Sequence, residues 1–284
     1  MNAELLQNLL VIALNVSVML AMGLDLTLGQ LRHTLRRGDR LAVGLALNLL
    51  VVPLAGAAMI HLFALPPAAA LGFLLCVASA GGPTGPLLTA NARGDTAYSV
   101  ALVMILSFAS VAAVPLLVRV LGGAVVPANG SGYVGQIITM ILLWQILPLC
   151  AGMAFHHWRP AQSPPLHRLF KALGNLSLVV LTIALLILKG RLVFANGWQP
   201  LLACALMVTL VFVLCALVER PSTPYGRALM FTTSIRSLAL ALLLASQVFA
   251  DPVVVLMTLT YGLFMFASSV PLAFAIGRRP PGGT

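Results

Sequence analysis

Charge is what this sequence has least of. Only 8% of its 284 residues are Asp, Glu, Lys or Arg, and just six are acidic. A soluble domain covers its surface with roughly a quarter charged residues, so a water-solvated chain is excluded. Aromatic residues are sparse too, at 7%, within a sequence that is 61% hydrophobic. Apolar runs of about twenty residues recur, the length a helix needs to cross a hydrocarbon core of about 30 Å. The reading is an all-α, polytopic helical membrane protein. Cysteine is scarce: Cys76, Cys150, Cys204 and Cys215 fall inside apolar runs at no metal-like or redox spacing, as small packing residues do. His156, His157 and His167 share one loop-like stretch, HHWRPAQSPPLHRLF, and are expected to be solvated or at the headgroups. No paired carboxylates, nucleophile constellation or metal motif lies near a span, so no catalytic residue, metal site or cofactor is expected, and no enzyme. The net charge of +10 is scattered through short segments rather than gathered on one face, which argues against nucleic acid as a partner.

Nine spans are expected, at about 5–24, 41–62, 68–88, 96–121, 133–154, 170–188, 199–218, 227–249 and 252–276. In an alternating topology the basic residues divide unevenly. One side collects Arg32, Arg36, Arg37 and Arg40, then Arg93, then Arg159, Arg168 and Lys171, then Arg220 and Arg227, and finally Arg278 and Arg279. The other holds Arg119, Lys189 and Arg191. Lys and Arg are retained on the cytoplasmic side. The expectation is an integral protein of the plasma (inner) membrane, N-terminus outside and C-terminus cytoplasmic. The opening MNAELLQNLL carries Glu4 and no basic n-region, unlike a signal peptide. One basic residue belongs to neither side. Arg236 stands inside LMFTTSIRSLALALL (229–243), among Thr232, Thr233, Ser234 and Ser237.

Two spans are polar in the middle. The third reads ALGFLLCVASAGGPTGPLLTANARGD, with Gly81, Gly82, Pro83, Thr84, Gly85 and Pro86 at its centre. Glycine and proline at that density break the intrahelical ladder and strip backbone groups of their partners. In lipid such a break is tolerated only where it is buried in protein or lines an aqueous cavity. The eighth span has no such breaker and carries the TTSIRS cluster instead. Each is the next-to-last span of a half, 1–124 and 125–284. Paired interruptions at corresponding places point to a transporter site near the bilayer midplane. A kink and a hydroxyl cluster that merely pack neighbouring helices are the plainer alternative.

The stretches MGLDLTLGQLRHTLRRGDRLAVGLALNLLVVPLAG (22–56) and ASAGGPTGPLLTANARGDTAYSVALVMILSF (78–108) resemble the bile acid:sodium symporter family. The shared marks are a first span ending in MGL-x-L, a basic loop, a small-residue span ending near Pro53, Gly-Gly before a broken helix, and Gly94-Asp95 leading into the next span. The resemblance implies a panel domain and a core domain built from inverted repeats, two broken helices crossing in the core, and transport by alternating access. The first helix of the family's ten-span form has no counterpart here, which fits an outside N-terminus; a truncated start would look the same.

The family binds two sodium ions at the crossover, and on that alignment the ligand positions are altered. Its Ser-Asn pair beyond the first break falls on Gly85 and Pro86. Two hydroxyls in the following span fall on Ser99 and Val103, a glutamine in the second span on Asn48, and the glutamate and glutamine of the second broken helix on Thr232 and Arg236. All six acids, Glu4, Asp25, Asp39, Asp95, Glu219 and Asp251, lie at span ends or between spans. A hard cation wants oxygen ligands and an offsetting carboxylate, and none is left at the midplane; sodium coupling is expected to be weakened or lost.

Arg236 itself stands nine residues beyond Arg227, about 14 Å deep at 1.5 Å per residue. An arginine there costs roughly 2.5–3.5 kcal/mol by insertion scales, so it should face protein or water. Its donors have two kinds of acceptor. One is the carboxylate or sulfonate of a substrate, which suits a planar fork. The other is backbone carbonyls freed at the breaks, with Asn48, Thr84 and Ser99, which would make it a built-in cation. A tilted helix with a snorkelling arginine is the third arrangement. The candidate substrate and crossover residues are therefore Asn48, Gly82, Pro83, Thr84, Gly85 and Pro86 with Thr232, Thr233, Ser234, Arg236 and Ser237. The function expected is secondary transport of a small organic anion, the lipid bilayer being the other partner. The alternatives are sodium symport through hydroxyls and main chain, or a membrane sensor that does not transport. Oligomeric state leaves no mark in the sequence.

Overall fold

A computed structural model describes residues 3–25, 38–123, 132–195 and 198–278. Every regular element among them is helical. In chain order they are α1 (Ala3–Asp25), α2 (Gly38–Leu62), α3 (Pro67–Ala78), α4 (Gly85–Asn91), α5 (Thr96–Gly122), α6 (Gly132–Trp158), α7 (Ser163–Ala195), α8 (Gln199–Val218), α9 (Pro224–Ser234), α10 (Leu238–Gln247) and α11 (Pro252–Gly277). Arg32, Arg36, Arg37 and Arg279, and the expected boundary between halves at 124/125, lie outside the described residues.

Nine spans were expected from apolar length; among the described residues seven helical stretches are long and apolar enough to cross a membrane, namely those of α1, α2, α5, α6, α8, α9–α10 and α11. The expected third span is divided into α3, of 12 residues, and α4, of 7. The expected sixth falls on α7. Large apolar side chains remain on the outside, Leu62 at 74% and Leu217 at 78% exposure, where a soluble protein would place charge.

The helix starts follow local chemistry. Prolines occupy the first turns of α3, α8, α9 and α11, where the missing N–H removes no intrahelical bond. Asp95 caps α5 by accepting from the Tyr98 amide at 3.0 Å, and Asp251 caps α11 by accepting from the Val253 amide at 2.7 Å. Thr223 caps α9 through the Gly226 amide at 2.9 Å. Acidic residues that a midplane site lacks are thus found at work on helix ends, where a carboxylate opposes the positive end of the dipole.

Helices α2 and α6 each contain a π-helical turn, Leu47–Val51 and Leu142–Ile146, followed closely by Pro53 and Pro148. Helix α1 packs along α6 and α7, while α3, α8 and α10 gather on α11. The α1–α6 contact is close because Gly23 and Gly152 face each other. A Cβ on Gly152 would sit 2.7 Å from the Leu20 carbonyl oxygen and 3.0 Å from Gly23 Cα. Replacing Gly152 by Ala should force the pair apart and destabilise the protein by about 1–3 kcal/mol, seen as a lower unfolding temperature in detergent. Gly135→Ala in the same helix, where a Cβ meets nothing within 4 Å, should cause no such loss.

Candidate functional site

The two interrupted stretches meet. Helix α3 ends at Ala78 and α4 begins at Gly85, while α9 ends at Ser234 and α10 begins at Leu238. Their non-helical segments exchange main-chain hydrogen bonds: the Gly82 amide donates to the Ile235 carbonyl at 3.2 Å, and the Ser237 amide to the Ser79 carbonyl at 2.8 Å. This contact needs glycine. A Cβ on Gly82 would lie 2.6 Å from the Arg236 carbonyl oxygen and 2.6 Å from Ile235 Cγ2.

Arg236, 2% exposed, projects from this meeting point. Its Nη1 donates to Asn48 Oδ1 at 2.8 Å, its Nη2 to the Asn48 carbonyl at 3.2 Å and to the Val77 carbonyl, and its Nε to the Cys76 carbonyl at 3.5 Å. Each acceptor is available for a local reason. In the π turn of α2 the Val52 amide donates five residues back, to Leu47. The next link would run to the Asn48 carbonyl from residue 53, which is proline and has no N–H. Cys76 and Val77 belong to the last turn of α3, the negative end of that helix, where carbonyls outnumber donors; the Cys76 carbonyl accepts from the Ser79 amide at 3.2 Å and has a lone pair to spare. The guanidinium caps both. Its main-chain amide donates to Met265 Sδ of α11 at 3.1 Å.

Asn48 is the hub beside it. While its oxygen holds Arg236, its Nδ2 donates to the Gly44 carbonyl at 2.9 Å and to Thr233 Oγ1 at 3.0 Å. A second group stands next to the first. Thr232 Oγ1 and Ser99 Oγ are hydrogen-bonded at 2.6 Å, and Thr89 Oγ1 donates to Ser99 at 3.1 Å. Gly85 closes this group, since a Cβ there would be 3.3 Å from Thr232 Cα and 3.8 Å from Val103 Cγ2. Ser234 turns back to the Met230 carbonyl at 2.8 Å, and the buried Ser237 hydroxyl has no partner among the described residues. Of the acceptors expected for Arg236, Asn48 and freed carbonyls hold it. Thr84 and Ser99 do not.

The large cavity lies to one side, between α1 and α7 on one wall and the first interruption, α4 and α5 on the other. Its volume is about 380 Å³. Pro83, Thr84, Pro86 and Val103 reach it; Arg236, Asn48, Thr232, Thr233, Ser234 and Ser237 do not. Its polar lining includes Asp25, Thr96, His167, Lys171 and Asn175; the first four stand at or beyond the ends of the expected spans, and Asn175 inside the sixth. The signal for three of them was present: 167, 171 and 175 are four apart, one face of a helix. At the far end of α9 a second arginine, Arg227, is also buried, donating to the Pro221 and Ala92 carbonyls at 3.0 and 2.9 Å; it ties the end of α4 to the start of α9.

Residues 11–196, more than half of the chain, match the Sodium Bile acid symporter family. The chain belongs to that family. Its members are transporters, not enzymes. The chain is 27% identical over 241 residues, 84% of its own length and 56% of the relative's, to the probable sodium/metabolite cotransporter BASS2, chloroplastic, of Oryza sativa subsp. japonica. It is 36% identical over 114 residues, 40% of its length and 28% of the relative's, to the BASS1 protein of the same plant. To the uncharacterized sodium-dependent transporter YocS of Bacillus subtilis (strain 168) it is 26% identical over 136 residues, 48% and 41% of the two lengths. The chain spans little more than half the length of the plant relatives it matches most fully.

Within this bile acid symporter relative the meeting point depends on Asn48. Asn48→Leu removes the side-chain acceptor and leaves a buried guanidinium short of a partner. The expected cost is about 3 kcal/mol, as for breaking a buried charged contact, read as a lower unfolding temperature; Asn48→Asp keeps the acceptor for Arg236 but loses the donor to the Gly44 carbonyl, and should recover only part of that loss.

Proposed function

We propose that this chain is a secondary transporter of small organic anions in which sodium coupling is weakened or lost. It would work by alternating access between panel and core, with 1–124 and 125–284 as inverted-repeat halves, in the plasma (inner) membrane with its N-terminus outside. One observation carries the loss of sodium: the Arg236 guanidinium sits among Asn48 and the Cys76 and Val77 carbonyls, oxygens of the kind that would otherwise ligate a cation. A tethered positive charge there neutralises the helix end and occupies the space without an ion. The neighbouring positions aligned with the other cation site, Gly85, Ser99, Val103 and Thr232, retain two hydroxyls bonded to each other and no carboxylate. Pro86 faces the cavity instead.

The same contacts argue against Arg236 as the substrate clamp. Its donors are turned into protein, and it does not reach the cavity. The cavity's position between α1–α7 and the first interruption is where alternating access would expose a substrate. Asp25 ends α1, Thr96 begins α5, and His167 and Lys171 lie early in α7, so the cavity lies toward the side on which positive residues gather. On that orientation the conformation faces the cytoplasm.

A second reading follows from the printed names of the relatives, which call those proteins sodium/metabolite cotransporters or sodium-dependent: sodium held by the Thr89, Ser99 and Thr232 hydroxyls and main-chain carbonyls. Uptake of labelled organic anions into proteoliposomes, in sodium and in potassium, separates the two. The expected result is uptake and counterflow with equal rates in both salts. Pairing Thr232→Glu with Arg236→Gln returns a carboxylate and removes the guanidinium, and should make uptake rise at least about tenfold in sodium, the factor that about 1.4 kcal/mol supplies. Sodium stimulation of the unsubstituted protein would decide for the second reading.

A further inference from the structure

The cavity carries charge of its own, separate from Arg236. Along α7, His167, Lys171 and Asn175 line it at four-residue steps, so they share one helical face. Helix α1 supplies the adjoining wall, with Val18, Met22 and, in its last position, Asp25. His167 Nδ1 and the Ala21 carbonyl are 2.9 Å apart, which fixes the two helices together at the level of the stripe. The core side is mostly apolar, with Leu87, Val100 and Val103 beside the hydroxyls of Thr84 and Thr96. A volume of about 380 Å³ lies near the small end of the roughly 300–1,000 Å³ usual for ligand sites.

Two ionised side chains face this space with opposite signs. Lys171 is half-buried, and the hydrocarbon walls around it strengthen any charge pair it makes. Asp25 is exposed at the helix end, where water screens it. No hydrogen bond or ion pair joins either side chain to a described residue. An ammonium with three donors and no acceptor beside it is suited to receive an anionic group. The carboxylate on the adjoining wall repels a second negative charge on the same ligand, and attracts a positive one, with the strength that screening leaves it.

From this arrangement we infer that Lys171 is the residue that pairs the anionic group of the ligand, with Asn175 as a further donor, and that Asp25 excludes a second carboxylate. The ligand class is a small monoanion, a carboxylate or sulfonate on a compact apolar body, and dicarboxylates are refused. The apolar body packs on Val100, Val103 and Met22. Selectivity for the anion then resides on α1 and α7, away from the crossing that Arg236 holds together. The assignment rests on the transport reading for its biological meaning, while the binding it describes is measurable without transport.

The experiment is equilibrium binding to the purified full-length chain in nanodiscs, using labelled hexanoate, adipate and 6-aminohexanoate, with unfolding temperatures recorded for every variant. Hexanoate should bind and adipate should not. Lys171→Gln should weaken hexanoate at least about tenfold, the loss of one charge-assisted contact, while Lys171→Arg stays within about threefold. Asp25→Asn should admit adipate. Unchanged hexanoate affinity in Lys171→Gln overturns the assignment, as does an unsubstituted protein that binds none of the three. Asp25→Asn should also weaken 6-aminohexanoate relative to hexanoate, since the same carboxylate attracts an ammonium at the ligand's far end; the absence of that change overturns the role given to Asp25. Hexanoate binding that depends on Lys171 but shows no counterflow in proteoliposomes would sink the transport reading and leave this one standing. Counterflow unaffected by Lys171→Gln would do the reverse.

Discussion

A guanidinium in the middle of an apolar protein must be given acceptors, and the architecture around residues 76–82 and 235–237 is arranged by that need. Arg236 takes the Asn48 side chain, the Asn48 carbonyl left without a donor by Pro53, and two carbonyls from the end of α3. The Asn48 and Val77 carbonyls would otherwise be buried polar groups short of a partner, at roughly 1–3 kcal/mol apiece, while the Cys76 carbonyl also accepts from the Ser79 amide at 3.2 Å. One charged side chain thereby satisfies defects in two helices at once. The crossing of the main chains at Gly82–Ile235 and Ser79–Ser237 is held in the same place, so the broken backbone and the buried charge compensate each other.

The consequence is a separation of two kinds of positive charge. Arg236 is enclosed and multiply bonded and does not line the cavity, which suits a fixed structural cation. Lys171 is half-buried on the cavity wall. Arginine keeps its charge and its fork geometry when desolvated, whereas lysine is a compact, mobile point charge on a flexible stem. On the proposed reading the first replaces an ion that would have had to bind and leave in each cycle, and the second meets the molecule that does so. The acids tell the same story from the other direction: Asp95 and Asp251 are engaged as helix caps, and neither is placed to balance a cation at the crossing.

Much was legible before any coordinates. The hydrophobic composition and the recurring apolar runs required a helical membrane protein, because no other solvent suits them. The Gly-Gly-Pro-Thr-Gly-Pro run could not remain a continuous helix, and α3 and α4 are indeed separate. The eighth stretch was harder to read, since it has no Gly or Pro; its helix stops at Ser234 where its main chain finds partners on the other interrupted segment. Of the positions aligned with the family's cation sites, Asn48 stands beside Arg236, and Gly85 beside Val103 and Thr232, whose hydroxyl meets Ser99, while Pro86 lies apart on the cavity wall. The face 167–171–175 is hard to see in the sequence because the prolines and basic residues around 164–168 resemble a loop, while α7 begins at Ser163.

What the sequence determined by itself was that a permanent charge lies deep among apolar residues and must find acceptors, since arginine does not shed its proton and lipid offers none. It also determined that two stretches of backbone are polar at mid-span. Which of the available acceptors Arg236 takes was decided by tertiary structure alone. Clamp and built-in cation use the same donors, and only the approach of α2 and the end of α3, from more than 150 residues away in the chain, turns the guanidinium inward and leaves the cavity to α1, α5 and α7.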